Sequence, residues 1–569
     1  MQLAVPKGRR KPLGSLAERG FRALQSRRGR RLREYLTAYL MILPATLLIF
    51  VFGIFPVGFA LFVSLHKWRL KRGGYIGLEN YVRAVDNLVY VALFLLAVGA
   101  LVAATLWLRS WRREARDAGL RPWVLLLPGG LHAAAAVAFV RWTVLLLPEI
   151  LDIAEKIIGV ERTRALFMRL LGEALRAPAV WEAFGHLGLL LVLSLLSAVL
   201  FARLWRRPEN ILYQIRFALA WLALGMGAFL LWFTYTEVAK AYQVALEGGQ
   251  SPAIWSQIVT ITSGVILLGL AWVVWRGAER QESDRAFWLR IFAAIALLVG
   301  GWLLIGEIPI IIAAGDEDLW SGLKVTIFYS LGTVPFQLAI SLFLAVLLFQ
   351  QLAGSELFRM LYFLPYVTPF VASAAVFRQM FSIRPQAPVN QFLHFLGLEP
   401  LRWIHEPRGI FHLLGERAGL ALPEWAGGPS LALVVIMLYS IWVYVGYDTV
   451  IYLAGLGNIP KEVVEVAQID GAGRWQVFRH VIFPLLSPTT YFLSLIAIIG
   501  TFKAFSHIWV MRHELALGTT DTFSVTIFLE FFDKVRYGYA SALAFVLFAI
   551  ILGLTVLNNR IQGSRVFYG

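Results

Sequence analysis

The chain has 569 residues, of which 59% are hydrophobic and 15% charged, and its mean hydropathy is +0.69. Soluble globular domains carry about 25% charged residues, so this balance sets a soluble domain aside and points to an all-α integral membrane protein with many spans. The net charge of +17 does not mark a nucleic-acid partner, because residues 1–34 alone hold eleven Lys and Arg and most other arginines end apolar runs, while zero cysteines exclude disulfides, thiolate metal sites and cysteine nucleophiles.

Residues 1–35 form a basic segment suited to the cytoplasmic side of a negatively charged leaflet. The segment lacks the small-residue cleavage site of a secretory signal, and the apolar run after it is too long for one, so it is expected to be retained. A bilayer core takes roughly 20 apolar residues per helix. Twelve stretches qualify: 36–65, 87–108, 122–147, 184–205, 214–236, 254–275, 287–313, 322–350, 359–381, 430–454, 488–511 and 540–558. Their period is not amphipathic, as expected of helices facing lipid or one another.

Lys and Arg in short loops fix direction. With the basic N-terminus inside, the first span leads outward, and the second should return to a cytoplasmic loop; that loop carries Arg109, Arg112, Arg113, Arg116 and Arg121. The next two cytoplasmic loops hold Arg203, Arg206, Arg207 and Arg216, then Arg276, Arg280, Arg285 and Arg290. The intervening outer loops are poor or balanced: 237–253 offers only Lys240, GDED at 315–318 has no base, and 148–183 has five bases against six acids. This alternation places both termini in the cytoplasm.

Between spans 10 and 11, residues 462–486 read EVVEVAQIDGAGRWQVFRHVIFPLL, a charged stretch between two apolar blocks. Pro460 suits a first helical position, Gly471 and Gly473 break the run, and Pro484 is expected to stop the second helix before the next span. That second helix places Trp475, Phe478 and Ile482 on one face. On residues alone, a helix docking into a groove of another protein and a helix lying in the membrane interface stand equal.

The stretch resembles the EAA loop of binding-protein-dependent ABC importer permeases: Glu465, Ala467, Gly471 and Pro484 match in register, with Val466, Val481 and Phe483 as apolar replacements. IPKEVVEVAQIDGAGRWQVFRHVIFPLLSP, RMLYFLPYVTPFVASAAVFR, GTFKAFSHIWV and GYASALAFVLFAIILGLTVL are similar to the carbohydrate-uptake branch, whose members include maltose and glycerol 3-phosphate permeases, as are two stretches within 36–86. The resemblance covers about 36–86 and 320–558. It implies a MetI-like, type I importer permease of a prokaryotic inner membrane, translocating a carbohydrate, a related polyol or a sugar phosphate. In that family the loop is the coupling helix, seated in a cleft of a cytoplasmic ATPase. A short helix joined to two spans is a lever, and Ala467 and Gly471 would allow close backbone approach while Glu465 anchors the bend. The implied partners are a second homologous permease, an ABC ATPase dimer, an extracytoplasmic solute-binding protein and membrane lipid.

The chain has no GxxxxGK[ST] phosphate loop, so it is expected to be no enzyme and to bind no cofactor, with ATP and Mg²⁺ used by the partner ATPase. ALEGGQS at 245–251 is similar to the signature of ABC ATPases, but lies in a short outer loop and reads as a glycine turn. The family core has six spans, which 36–86 and 320–559 supply around the 460–484 loop, leaving 560–569 as a cytoplasmic tail; 87–319 inserts about six more. The inserted number must be even, or every later helix would reverse. Within it, 150–182 reads as an amphipathic helix near the outer surface. The insertion is expected to widen the bundle or hold a partner rather than form a second substrate site.

Ionisable groups inside spans cost about 2.5–3.5 kcal/mol at mid-helix, so each suggests a pathway. Lys503 is the clearest and Asp448 the next, though their depths make a simple pair unexpected. Relatives of the maltose type line the sugar site with the spans flanking the EAA loop, which by position implicates Tyr444, Tyr447, Asp448, Thr501, Phe502, Lys503 and Phe505. Aromatic faces suit the apolar C–H face of a sugar, and polar neighbours suit its hydroxyl rim. The Asn-rich pattern of the maltose permease is absent. Glu307 and Arg141, in the insertion, have no family counterpart. Segment 383–428 falls where the family meets its binding protein; its His394, His405 and His412 fit no zinc spacing, so no metal is expected. The rival readings are an ion-coupled secondary transporter, which needs intramembrane acids near broken helices and an internal repeat, and a membrane enzyme acting on lipid-linked sugars, which needs acids or histidines clustered at one membrane face.

Overall fold

The computed structural model describes residues 27–204, 209–249, 253–278, 283–306, 308–350 and 354–562. Most of the basic N-terminal segment, Gln250 and Ser251 of the GGQ stretch, Glu307 and the end of the C-terminal tail lie outside them. The chain divides into two compact units, one formed by Met1–Ala84 with Asp316–Gly569 and the other by Val85–Gly315.

The first unit opens with α1 (Arg27–Ile49), which passes through a π-helical turn at Phe50–Ile54 into α2 (Phe55–Ser64). A two-stranded antiparallel ribbon follows, β1 (His66–Trp68) and β2 (Arg72–Tyr75), then α3 (Glu79–Val85). Asn80 fastens this turn by donating to the Ser64 and His66 carbonyls at 2.8 and 3.3 Å.

The second unit comprises α4 (Leu88–Asp117), α5 (Pro122–Lys156), α6 (Arg164–Leu175), α7 (Pro178–Leu204), α8 (Glu209–Glu247), α9 (Ile254–Ala278), α10 (Asp284–Ile305) and α11 (Ile308–Ala314). α5 packs on α7 and α8, α4 on α8, and α9 on α10. Gly264 and Gly301 face each other so closely that a Cβ on Gly301 would stand 2.9 Å from the Gly264 carbonyl oxygen, the small-residue packing that lets apolar helices associate in lipid. The single amphipathic helix expected over 150–182 is instead three pieces. α5 runs on to Lys156, Gly159 turns the chain at φ +80°, Thr163 caps α6 by accepting from the Leu166 N–H at 3.2 Å, and Pro178 begins α7.

The chain re-enters the first unit with α12 (Glu317–Phe349), then α13 (Ser355–Val367), α14 (Phe370–Met380), α15 (Pro388–Phe395), α16 (Ile410–Arg417), α17 (Leu431–Gly457), α18 (Lys461–Ile469), α19 (Arg474–Val477), α20 (Phe483–Leu485), α21 (Ser487–Phe502), α22 (Ser506–Met511), α23 (Phe523–Phe528) and α24 (Tyr537–Gln562). α17 is the centre of this unit: α12, α13 and α21 all pack on it. Two-thirds of its most apolar window is buried, against 22% for the peripheral α24.

Among the described residues, ten helices are long and apolar enough to cross a bilayer, and counting each of two bent pairs as one span brings the number to twelve. The span expected over 359–381 is one of these bent pairs rather than a single helix. α13 and α14 meet at 93° across Thr368 and Pro369, where proline both lacks an N–H and forces the preceding residue out of helical geometry. The segment from Arg474 to Leu485 meets α21 at 63°.

Segment 383–428 is built around Asn390, which is 0% exposed. Its Oδ1 accepts from the Leu401 N–H at 3.0 Å and the Trp403 indole N–H at 2.7 Å, and its Nδ2 donates to the Ser382, Arg384 and Leu401 carbonyls. Arg408 clamps the same segment, reaching Glu406 and Glu416 at 3.0 Å each. Burial pushes the Glu406 carboxyl up, but its bonds with Arg408 more than offset this and hold it below the ordinary carboxylate range. The GDED stretch is also tied down: Asp316 accepts from Tyr539, and Asp318 pairs with Lys534 at 3.2 Å.

Candidate functional site: a polar cavity and an exposed loop

α12 carries Tyr329, Thr333 and Gln337 at intervals of four, hence on one face, and turns that face to α17. The Gln337 amide donates to Asp448 Oδ2 at 3.0 Å, and each residue is 3% exposed. One stretch of helix away, the Tyr329 hydroxyl, the Ser440 hydroxyl and His507 Nε2 form a triangle of 2.6, 2.9 and 3.2 Å. Thr501 on α21 donates to Ser330 at 2.8 Å. Ser341 adds a bond to the Val445 carbonyl at 3.0 Å. Such side-chain bonds join helices where lipid offers no alternative partner.

Tyr329, Thr333, Gln337, Asp448, Thr501 and His507 line a cavity of about 190 Å³ between α12, α17, α21 and the bend of α13–α14. Its aromatic wall is Tyr366, stacked on Tyr447 with ring centroids 4.6 Å apart and edge-on to Tyr444 at 6.0 Å. The bend at Pro369 brings this wall into place. So does Gly446, since a Cβ there would overlap the Tyr362 carbonyl oxygen. Thr333, 0% exposed, lines the cavity with its hydroxyl unpartnered.

Of the residues expected along a pathway, Tyr444, Tyr447, Asp448 and Thr501 line this cavity, and Phe502, Lys503 and Phe505 do not. α21 ends at Phe502, whose carbonyl accepts from Ser524 at 3.0 Å; Lys503 is exposed at the helix end; Phe505 stacks on Trp509 and packs on Phe528. The expected continuous helix over 488–511 is thus broken at 503–505. Among the described residues Asp448 and Lys503 form no ion pair; Asp448 bonds to Gln337 instead. Sequence reasoning missed Tyr329, Thr333, Gln337, Tyr366 and His507. The signal for the first three was a four-residue polar period inside an apolar run.

The 460–484 loop folds as α18, a turn and a second helical segment. Pro460 precedes α18 rather than beginning it, and Gly471 holds φ +83°, a left-handed conformation that penalises a Cβ. The Gly473 N–H is capped by Gln476 Oε1 at 2.7 Å. Trp475 stacks on Phe478 at 5.5 Å, whereas Ile482 packs inward on the cluster around Tyr452 and Leu486. Pro484 does not stop the segment: a π-helical turn at Phe478–Ile482 leads into α20, Pro484 sits in its first turn, and the break falls after Leu486. Glu465 and Gly471 are exposed, Ala467 half-buried, and among the described residues nothing beyond its chain neighbours lies within 4 Å of where a Gly471 Cβ would stand. Val466, Ile469 and Trp475 are exposed at 56, 84 and 68%.

In the second unit, Arg141 on α5 is exposed and borders an apolar groove of about 1100 Å³ shared with α7 and α8.

Residues 326–564 match the family described as binding-protein-dependent transport system inner membrane component. The probable ABC transporter permease protein YesP of Bacillus subtilis is 32% identical over 45% of this chain and 75% of its own length. A probable ABC transporter permease of Pyrococcus horikoshii is 29% identical over 44% and 79%. The arabinooligosaccharides transport system permease AraP of Halalkalibacterium halodurans is 29% identical over 44% and 72%. With a helical membrane core, a polar cavity within it and 32% identity across three-quarters of YesP, the chain belongs to the binding-protein-dependent transport system inner membrane components, the permeases of ABC importers.

Proposed function

We propose that the chain is the carbohydrate-translocating permease of an ATP-driven importer, paired with a second, homologous permease and driven by a separate ATPase dimer that carries the ATP and Mg²⁺. An extracytoplasmic binding protein delivers the solute. Two features support the carbohydrate class: a relative is named for arabinooligosaccharides, and the cavity combines stacked tyrosine faces with convergent hydroxyl, amide and carboxylate groups. Tyr444, Tyr447, Asp448 and Thr501 contact the passing sugar. Phe502, Lys503 and Phe505 shape the helix break beside it.

The observation that carries the reading is the 461–480 segment. It is a short helix pair on a left-handed glycine hinge, apolar at Val466, Ile469 and Trp475, with those side chains exposed. Apolar side chains exposed beside charged ones suit a helix seated in a partner's groove. ATPase closure pushes this segment, the core helices swing outward, and hydrolysis resets them. The termini then lie in the cytoplasm, in line with the arginine-rich loops. Affinity purification of the tagged chain from its native membrane tests the assembly: an ATP-binding subunit and a second permease should accompany it. Recovery of an active transporter without any ATPase would overturn the reading.

A further inference from the structure

We infer that the cavity selects sugars without negative charge, and that Asp448 is the group that sets this selection. The inference rests on the carbohydrate reading above and narrows it, since that reading admits sugar phosphates and acidic sugars.

Among the described residues, the lining holds one carboxylate, Asp448, and no Lys or Arg. The nearest cation in sequence, Lys503, is exposed and lies outside it. His507, the one basic side chain present, already has its Nε2 engaged by Tyr329 and Ser440. A phosphate or carboxylate entering here would lose its water without gaining a cation, beside an existing acid; burying an unpaired charge is among the most unfavourable events in a protein interior. A neutral ring meets the opposite situation. Gln337 occupies Oδ2 of Asp448, and among the described residues no hydrogen bond engages Oδ1, which is left to accept from a sugar hydroxyl. The Thr333 hydroxyl is buried and unpartnered on the same lining, a vacancy that native interiors rarely leave unless a ligand or water fills it.

Saturation-transfer NMR on the assembled transporter in nanodiscs, without the binding protein, tests this with matched gluco and galacto series: the neutral hexose, the 2-amino sugar, the 6-phosphate and the uronate. The neutral and amino sugars should bind, with the phosphate and uronate at least tenfold weaker. Asp448→Asn, which keeps an acceptor for Gln337, should narrow the gap against the uronate at least threefold; Gln337→Glu, adding a second carboxylate, should widen it. Uronate or phosphate binding as well as the neutral hexose overturns the inference while leaving the carbohydrate reading intact, and an unchanged gap in both variants removes Asp448 as its cause. Failure of all eight probes, together with neutral oligosaccharides, overturns both.

Discussion

Gln337 and Asp448 are 111 positions apart in the chain and 3.0 Å apart in the fold, an amide and a carboxylate that join α12 to α17 on the cavity lining at 3% exposure each. In apolar surroundings such a pair fixes the register of two long helices, because sliding either one strands a polar group. Gln337→Leu should therefore lower the stability of the assembled transporter by about 1–3 kcal/mol, the cost of an unsatisfied buried acceptor. Removing both partners, as Gln337→Leu with Asp448→Leu, should recover much of that loss. Thermal unfolding of the single and double variants checks the non-additivity.

Gly446 lets α17 approach α13 so closely that any side chain would strike the Tyr362 carbonyl. Gly446→Ala should force the helices apart, costing about 1–3 kcal/mol as overpacking does, and should displace Tyr366 from Tyr447. A loss of uptake larger than the loss of folded protein on Gly446→Ala would show the displaced aromatic wall. Equal losses would make the contact purely structural.

At Gly471 the two causes of intolerance separate. Its φ of +83° disfavours Ala by about 1–2 kcal/mol, and Asn, which tolerates that region, by less. Among the described residues nothing beyond its chain neighbours lies within 4 Å of the missing Cβ, so side-chain bulk costs little there until a partner arrives. Across Gly471→Ala, →Asn and →Trp, ATP-dependent uptake should fall with side-chain volume, with membrane insertion unchanged. Uptake that instead tracks left-handed preference, with Asn near normal, would make the glycine a hinge requirement alone.

His405 and His513 face each other with ring centroids 4.1 Å apart. Burial, then the neighbouring His513, lowers the His405 pKa below its ordinary 6.5. A group whose folded pKa is depressed binds fewer protons when folded, so its contribution is complete above about 6.5 and is lost as pH falls through the lower folded value. Protection factors for amide exchange in 402–417, corrected for the intrinsic rate at each pH, should fall between pH 7 and pH 5, and His405→Gln should reduce that dependence.

The twelve spans and the charged loop were legible in the sequence because apolar runs of bilayer length and arginine-rich loops are local signals. The breaks were less so. Thr368–Pro369 carried the proline signature, but hydropathy alone runs through it unbroken, and Lys503 read as a buried charge because nothing in its run marked Phe502 as a helix end. Four of the cavity's thirteen lining residues were found from the position of α17 and α21 beside the loop. Tyr329, Thr333 and Gln337 were not, since uncharged polar residues gain meaning only when α12 meets a helix more than a hundred residues later. Tyr366 depended on the bend.

The chain contains no cysteine, so Val466→Cys places a single thiol on the exposed face of α18. In the intact complex, a short bifunctional cross-linker should join that thiol to the ATPase subunit, and nucleotide should change the yield. Labelling of the same thiol only from the extracytoplasmic side, or an intact complex in which it never reaches an ATPase, would contradict the account at its centre.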